Sequence, residues 1–436
     1  MEKRQLDPGT EARRDQADID KARARRVIAE VAERVTDAGT VMSAAPIPMP
    51  AHVALPGCAL LMARLASEQP SCADAAVEHL RAISESLPAQ PNNVFQGTVG
   101  AISTALAMDA MTGDRRLSAV VTSGARSLSD RAESLAQRYA SHQTSGVTRM
   151  DVEDFDTVSG LAGLGRVLML ALHRGYSDAE PGLRASLEVL TGLLANKDGC
   201  PPGWWPSRVE DHRRPLREHG GAAELGMAHG IAGPLAFLAV SLTAGNQVAM
   251  QREAVRFAAE WLLSQRHPGT WTWPASVTAG PPDEDAPATH PPAINHTWCS
   301  GSTGIATAIH LAGRALNDPV LVRAGTEALS ALTSIPRRQW AVRGPALCCG
   351  FAGVLQAALT ATDRDTCAGL GPLADIAAAG VLDLWDPAST FGFRHQRGTR
   401  PFDSPEFLYG AAGTALALYD YTTDVNSSWP GLLLLG

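Results

Sequence analysis

Residues 346–355 read ALCCGFAGVL: two adjacent cysteines, Cys348 and Cys349, and then a Gly-x-x-Gly that opens a run of small and apolar residues. The same frame recurs along the chain. FQGTVGAISTAL, VSGLAGLGRVLML, AHGIAGPLAFLAV, WCSGSTGIATAIHL and LYGAAGTALALY carry it, with first glycines at Gly97, Gly160, Gly230, Gly301 and Gly410, beside Gly350 here. A weaker member, PGCALLMARL at Gly57, lacks the second glycine. Such self-similarity marks a repeat architecture. The spacings, 40 to 71 residues, leave room for two helices and a loop. The run after each motif is apolar or small on nearly every face, which predicts a helix buried all round. Between the runs lie amphipathic segments such as ADAAVEHLRAISESL and EAVRFAAEWLLSQR, with apolar residues at three-to-four spacing. Alternating strand patterns are absent. The expected architecture is all-α: an outer amphipathic helix alternates with an inner buried one, seven times, in a closed ring. An open solenoid is the alternative, but an open array ordinarily carries polar capping repeats. Glycines at each inner helix start are expected to permit a tight turn and close backbone approach.

Composition narrows the function. With 436 residues, 19% charged and a formal charge of -8, the chain is globular and mildly acidic, which argues against non-specific nucleic-acid binding. The N-terminus, MEKRQLDPGTEARRDQ, has no apolar core and does not read as a signal peptide. Charged residues or glycine break the apolar runs before they reach membrane-spanning length. Seven cysteines in so long a chain make no disulfide framework, so a reduced, cytoplasmic setting is expected.

The chemistry falls at fixed places in the repeat. Cys299 and Cys348 each stand two residues before a repeat's first glycine. Cys349 and His229 each stand one before. If repeats are equivalent in space, these side chains converge at one end of the ring. Three converging thiols suggest zinc, with a fourth position open to water or substrate. A vicinal disulfide and buried inert thiols are the competing readings. Cys200 has no repeat position and is not a ligand candidate.

The motifs MAHGIAG, NHTWCSGSTG, LCCGFAG and FLYGAAGTALAL, with the closing SSWPGLLLL, resemble those of the lanthionine synthetase C-like family, the lanthipeptide cyclases. The resemblance runs from about residue 50 to the end. It implies an α/α toroid of seven inner and seven outer helices with one Zn2+ at its mouth. It also implies addition of a peptide cysteine thiol to dehydroalanine or dehydrobutyrine. Its zinc ligands fall on Cys299, Cys348 and Cys349, where Cys349 replaces the family's usual histidine. Three protein thiolates and a substrate thiolate would give a formal charge of -2 and a more nucleophilic fourth sulfur. The resemblance assigns His229 as the acid that protonates the enolate, and Asp156 as its support; an N-cap is the alternative for Asp156. Trp298 either packs behind the metal or flanks the substrate olefin. Asn295 stands where some cyclases carry a functional arginine, which puts an arginine-assisted step in doubt; His296 is the substitute considered.

The expected organisation is a helical extension over residues 1–45, which meets a leader peptide or forms a surface helix, and a toroid over 46–436. Pro-rich loops at 197–222 and 267–297 are expected to wall the substrate cleft. The implied partners are a dehydrated precursor peptide with its leader, a dehydratase and an exporter complex. Rival readings are a non-catalytic peptide- or glutathione-binding member, or another toroid enzyme: a zinc prenyltransferase, or a glycosidase using Asp156 and Glu224.

Overall fold

The computed structural model describes residues 8–88, 93–144, 150–195, 203–205, 222–278, 295–362, 370–397, 400–423 and 427–435. Most of the loops expected at 197–222 and 267–297, together with Cys200 and Cys367, lies outside these residues.

Fourteen principal helices alternate between two layers among the described residues. In chain order they are α1 (Pro8–Val35), α2 (Pro56–Leu65), α3 (Ser71–Glu85), α4 (Gly97–Thr112), α5 (Ser118–Thr144), α6 (Leu161–His173) and α7 (Glu180–Ala195). Then follow α8 (Ala232–Thr243), α9 (Gln251–Ser264), α10 (Ser302–Leu316), α11 (Pro319–Ser330), α12 (Phe351–Ala361), α13 (Gly371–Leu382) and α14 (Ala411–Thr422). The even-numbered helices are the inner layer. Each packs on the next, and α14 packs back on α2, so the ring closes. The fold is the expected α/α toroid.

Burial follows the sequence pattern. In α8 every residue from Ala232 to Ser241 is buried. Each fully buried Leu, Val or Phe there contributes roughly 1.5–3 kcal/mol. The outer helices bury one stripe only; in α9 that stripe is Ala254, Val255, Ala258, Ala259 and Leu262.

The paired glycines answer to sterics at the start of each inner helix. The second glycine of the motif lies against the carbonyl of the residue three before the first. Gly304 meets Trp298, Gly353 meets Leu347 and Gly413 meets Phe407, each with no room for a Cβ. The first glycine faces the backbone of its own turn, as Gly350 faces Gly344 and Ala346. That turn is closed by long-span backbone bonds: Ser302 N to Asn295 O (2.8 Å), Phe351 N to Gly344 O (2.9 Å) and Ala411 N to Ser404 O (2.8 Å).

Among the described residues of the expected extension, helix α1 packs on α14 and α13 and is the seventh outer helix of the ring. It buries Ala24, Val27, Ile28, Val31 and Val35, and its Arg23 and Arg34 donate to the carbonyls of Leu382 (2.7 Å) and Ser389 (2.8 Å). The charged residues at helical spacing are its solvent face. Two short antiparallel ladders also occur. β1 (Ala222–Glu224) pairs with β2 (Ser276–Thr278), and β3 (Arg394–Arg397) pairs with β4 (Arg400–Asp403), setting His395 opposite Phe402. At three or four residues each, they are too short to show an alternating pattern.

The C-terminal turn Trp429–Leu433 is buried throughout and packs against α4 and α6. Leu433 also accepts a hydrogen bond from the Trp298 indole (3.1 Å), on the far side of the ring. The segment therefore crosses the interior of the toroid.

Candidate metal centre and acid-base pair

A belt of backbone hydrogen bonds ties the repeats together just before the inner helices. Val94 N donates to Val158 O (2.9 Å), Thr157 N to Ala228 O (3.1 Å) and Ala228 N to Cys299 O (2.9 Å). Cys299 N then donates to Cys348 O (3.3 Å), and Cys348 N to Leu408 O (2.9 Å). Ala228, Cys299, Cys348 and Leu408 all stand two residues before their glycine. Equivalent positions in sequence are thus neighbours in space, and the residues beside them share one rim.

The cysteines meet at that rim. The sulfurs of Cys299, Cys348 and Cys349 all lie within 4.8 Å of one another. Cys299 Sγ is 3.1 Å from Cys349 Sγ, which is 3.4 Å from Cys348 Sγ. These separations far exceed a disulfide's ~2.05 Å, so the cysteines are free thiols. Cys348 is buried, while Cys299 and Cys349 are partly exposed, so the cluster opens to one side. Hydrogen bonds from the thiols of Cys348 and Cys349 hold Cys299 well below the usual thiol range, with Thr297 and Ser300 assisting. Cys348 is pushed up in return by its bond to Cys299 and by burial. Three convergent sulfurs, one of them held well below the usual thiol range by the other two, form a donor set that suits zinc. In a tetrahedral site with Zn–S bonds near 2.3 Å the sulfurs stand ~3.8 Å apart, a small adjustment from the spacing here.

The neighbouring repeats supply the second group. His229 Nδ1 lies 2.6 Å from Asp156 Oδ2; the Asp156 side chain is fully buried and that of His229 is 51% exposed. Asp156 Oδ1 accepts from Ser159 N (2.6 Å) and Gly160 N (2.9 Å). Asp156 is not the N-cap of α6, which is Gly160; its carboxylate closes the turn before that helix and holds the His229 ring. The hydrogen bond that His229 donates to Asp156 is the main cause that raises its pKa, against desolvation; the charges of Asp156, Glu224 and Cys299 add to it. With Nδ1 engaged, Nε2 is the nitrogen left for other work.

Other candidates are placed differently. Trp298 is fully buried, and its indole is spent on Leu433 O (3.1 Å). The side chain is thus spent in the interior beside Cys299, which favours the packing alternative over the olefin-flanking one. Asn295 is consumed in its own turn, donating to Ser300 Oγ (2.8 Å) and accepting from Thr297 N (3.0 Å). His296 is buried with neither ring nitrogen bonded, and burial lowers its pKa.

Three residues at the rim escaped the sequence reading. Tyr409 Oη lies 3.4 Å from Cys348 Sγ. It stands one residue before Gly410, the register of His229 and Cys349, so the repeat frame could have found it. His395, on β3, is buried with Nδ1 unbonded, and its ring centroid is 5.5 Å from that of Tyr409. Burial, aided by the charge of Arg343, lowers its pKa to about 4. Arg343 is exposed and donates its backbone N–H to Cys349 O (2.7 Å). No carboxylate among the described residues pairs with its guanidinium. No motif marks His395, because it lies on a hairpin between repeats.

Comparison with known proteins bears on the family and the fold. The family profile described as Lanthionine synthetase C-like protein matches residues 46–434. Among solved structures, nisin cyclase superposes with a TM-score of 0.69 at 18% identity, covering 95% of this chain and 97% of that one. No curated protein sequence matches.

Proposed function

Because the chain belongs to the lanthionine synthetase C-like family, we propose that it is a zinc-dependent lanthipeptide cyclase. It adds the thiol of a peptide cysteine to a dehydroalanine or dehydrobutyrine of the same peptide, forming a (methyl)lanthionine thioether. One observation carries the reading: the oriented His229–Asp156 pair stands on the same rim as three convergent cysteine sulfurs, one backbone hydrogen bond away.

Cys299, Cys348 and Cys349 would hold the ion. When bound, zinc would keep a substrate thiol, ordinarily of pKa about 8.5, as thiolate at neutral pH. The remaining work falls to side chains. The thiolate sulfur bonds to the substrate β-carbon, and the π electrons move toward the α-carbon and its carbonyl. Protonated His229 delivers its Nε2 proton to the α-carbon. Buried Asp156 holds the ring in one orientation and favours the protonated form before transfer. The proton released by the substrate thiol balances the one that His229 gives up. Arg343 supplies positive charge beside the cysteines, the role Asn295 cannot fill.

The same geometry weighs against a glycosidase. Asp156 is fully buried with both oxygens committed, so it cannot serve beside exposed Glu224 as one of two carboxylates across a cleft. We assign a dehydrated, leader-bearing precursor as substrate, a dehydratase and an exporter complex as partners, and the cytoplasm as the setting. Among the described residues no helix is long and apolar enough to cross a membrane.

The test is incubation of the zinc-loaded protein with a dehydrated Cys-containing peptide, followed by thiol alkylation and mass spectrometry. Loss of alkylatable cysteine at unchanged peptide mass is expected. Full alkylation of every dehydrated peptide tried, with one zinc still bound, would instead favour the non-catalytic binding member.

A further inference from the structure

Next to the Asp156 turn lies a polar cleft of about 660 Å³, a volume typical of ligand sites. Its floor includes Gln96 and Ser159. Each stands one residue before a first glycine, in the register of His229 and Cys349, so the cleft opens on the same rim as the acid-base pair. Ser159 belongs to the turn that holds Asp156, donating its N–H to Oδ1 (2.6 Å).

One wall of the cleft is a face of α5 that carries Arg131 and Arg138, two turns apart. The two arginines are unequal. Arg138 is neutralised by Asp154 at 3.0 Å. Arg131 is half-buried, and its Nε is shielded from solvent with no hydrogen-bond partner. Glu153 also lines the cleft, but among the described residues no carboxylate lies within ion-pair distance of Arg131. One buried N–H of the guanidinium, at Nε, has no acceptor, which is costly; burial together with the like charge of Arg138 pushes its pKa down against the opposing charge of Asp154. A carboxylate arriving from outside would satisfy the fork bidentately.

We propose that this cleft is a substrate subsite in which Arg131 takes the side-chain carboxylate of an aspartate or glutamate lying near the ring-forming residues of the peptide. The proposal rests on the cyclase reading for the identity of the ligand, a peptide reacting at the adjacent rim. Gln96 and Ser159 offer hydrogen bonds to the peptide on the path from the cleft to His229. Arg138, already paired, contributes shape and leaves Arg131 as the discriminating charge.

The test uses the full-length zinc-loaded protein and a set of fluorescent synthetic peptides. Each carries one dehydroalanine and one cysteine in an otherwise glutamine-rich frame, with a single glutamate moved through the flanking positions. Binding is read by anisotropy and cyclisation by thiol alkylation. At one or more positions glutamate should tighten binding about tenfold over glutamine. Arg131→Gln should abolish that preference by raising KM while leaving kcat near wild type, and Arg131→Lys should restore part of it. Arg138→Gln, which keeps Arg131, should retain it. Absence of any preference in wild type, or its persistence in Arg131→Gln with unchanged zinc content and melting temperature, would overturn the subsite. Thioether formation without preference sinks the subsite alone. Preference without thioether formation sinks the cyclase reading and leaves the subsite standing.

Discussion

Asp156 and His229 are fixed by hydrogen bonds within the protein, whereas the three sulfurs are fixed chiefly by one another. The carboxylate accepts from two backbone N–H groups and from the imidazole, so the chain alone sets its position. Cys299, Cys348 and Cys349 share the backbone belt, but their sulfurs face each other at 3.1 and 3.4 Å, and the other two thiols hold Cys299 well below the usual range. The acid-base region is preorganised by hydrogen bonding. The sulfur region is a donor set that a bound cation would complete. Removing one sulfur should therefore cost the metal, while removing the imidazole should not.

The largest effect is expected from Cys299→Ala. Bound zinc, measured by atomic emission on the purified protein, should fall from one equivalent to near zero. Cyclisation should fall by at least ~10³-fold, while the far-UV spectrum stays helical. Retention of a full equivalent would break the comparison from the sulfur side. Next comes His229→Ala, expected to keep one zinc and lose ~10²–10⁴ in rate; concurrent loss of zinc would show the two regions are not separable.

Asp156→Asn should have an intermediate effect. The His229 pKa is raised in the native protein, so its protonated form persists to higher pH than in a free imidazole and is lost as pH rises through that value. Without the carboxylate charge, the alkaline limb of kcat should move to lower pH. The turn should keep most of its closure, because asparagine still accepts from Ser159 and Gly160. An unmoved alkaline limb would remove His229 from the proton transfer. The smallest change is Cys349→His, which should retain zinc and slow cyclisation several-fold, because a neutral ligand lowers the charge on the centre. Equal or faster turnover would show that the third thiolate contributes nothing to nucleophilicity.

The fold was legible because close packing leaves a compositional mark. Where a carbonyl abuts the first turn of an inner helix only glycine fits, as at Gly304 and Gly413, and that demand repeats in the sequence. The site was legible for the same reason: the belt that aligns Cys299 with Cys348 is the repeat register itself. Helix α1 was harder to read. It comes first in the chain but docks beside α14, the last helix, and its buried stripe of five aliphatic residues is thin against its charged face. Arg343 and His395 reach the rim from a connecting segment and a hairpin, where no periodicity announces them. Trp298 was ambiguous because a tryptophan beside a ligand reads alike whether it faces substrate or core; the C-terminal turn that buries it is remote in sequence.

Metal binding and thiol activation both require the three sulfurs to act together. X-ray absorption at the zinc edge, on the purified full-length chain carrying one equivalent of metal, tests this directly. Three sulfur neighbours near 2.3 Å, falling to two in Cys349→Ala, are the predicted result. Two or fewer sulfur neighbours in wild type, or a chain that holds no zinc while its thiols are reduced and free, would contradict it.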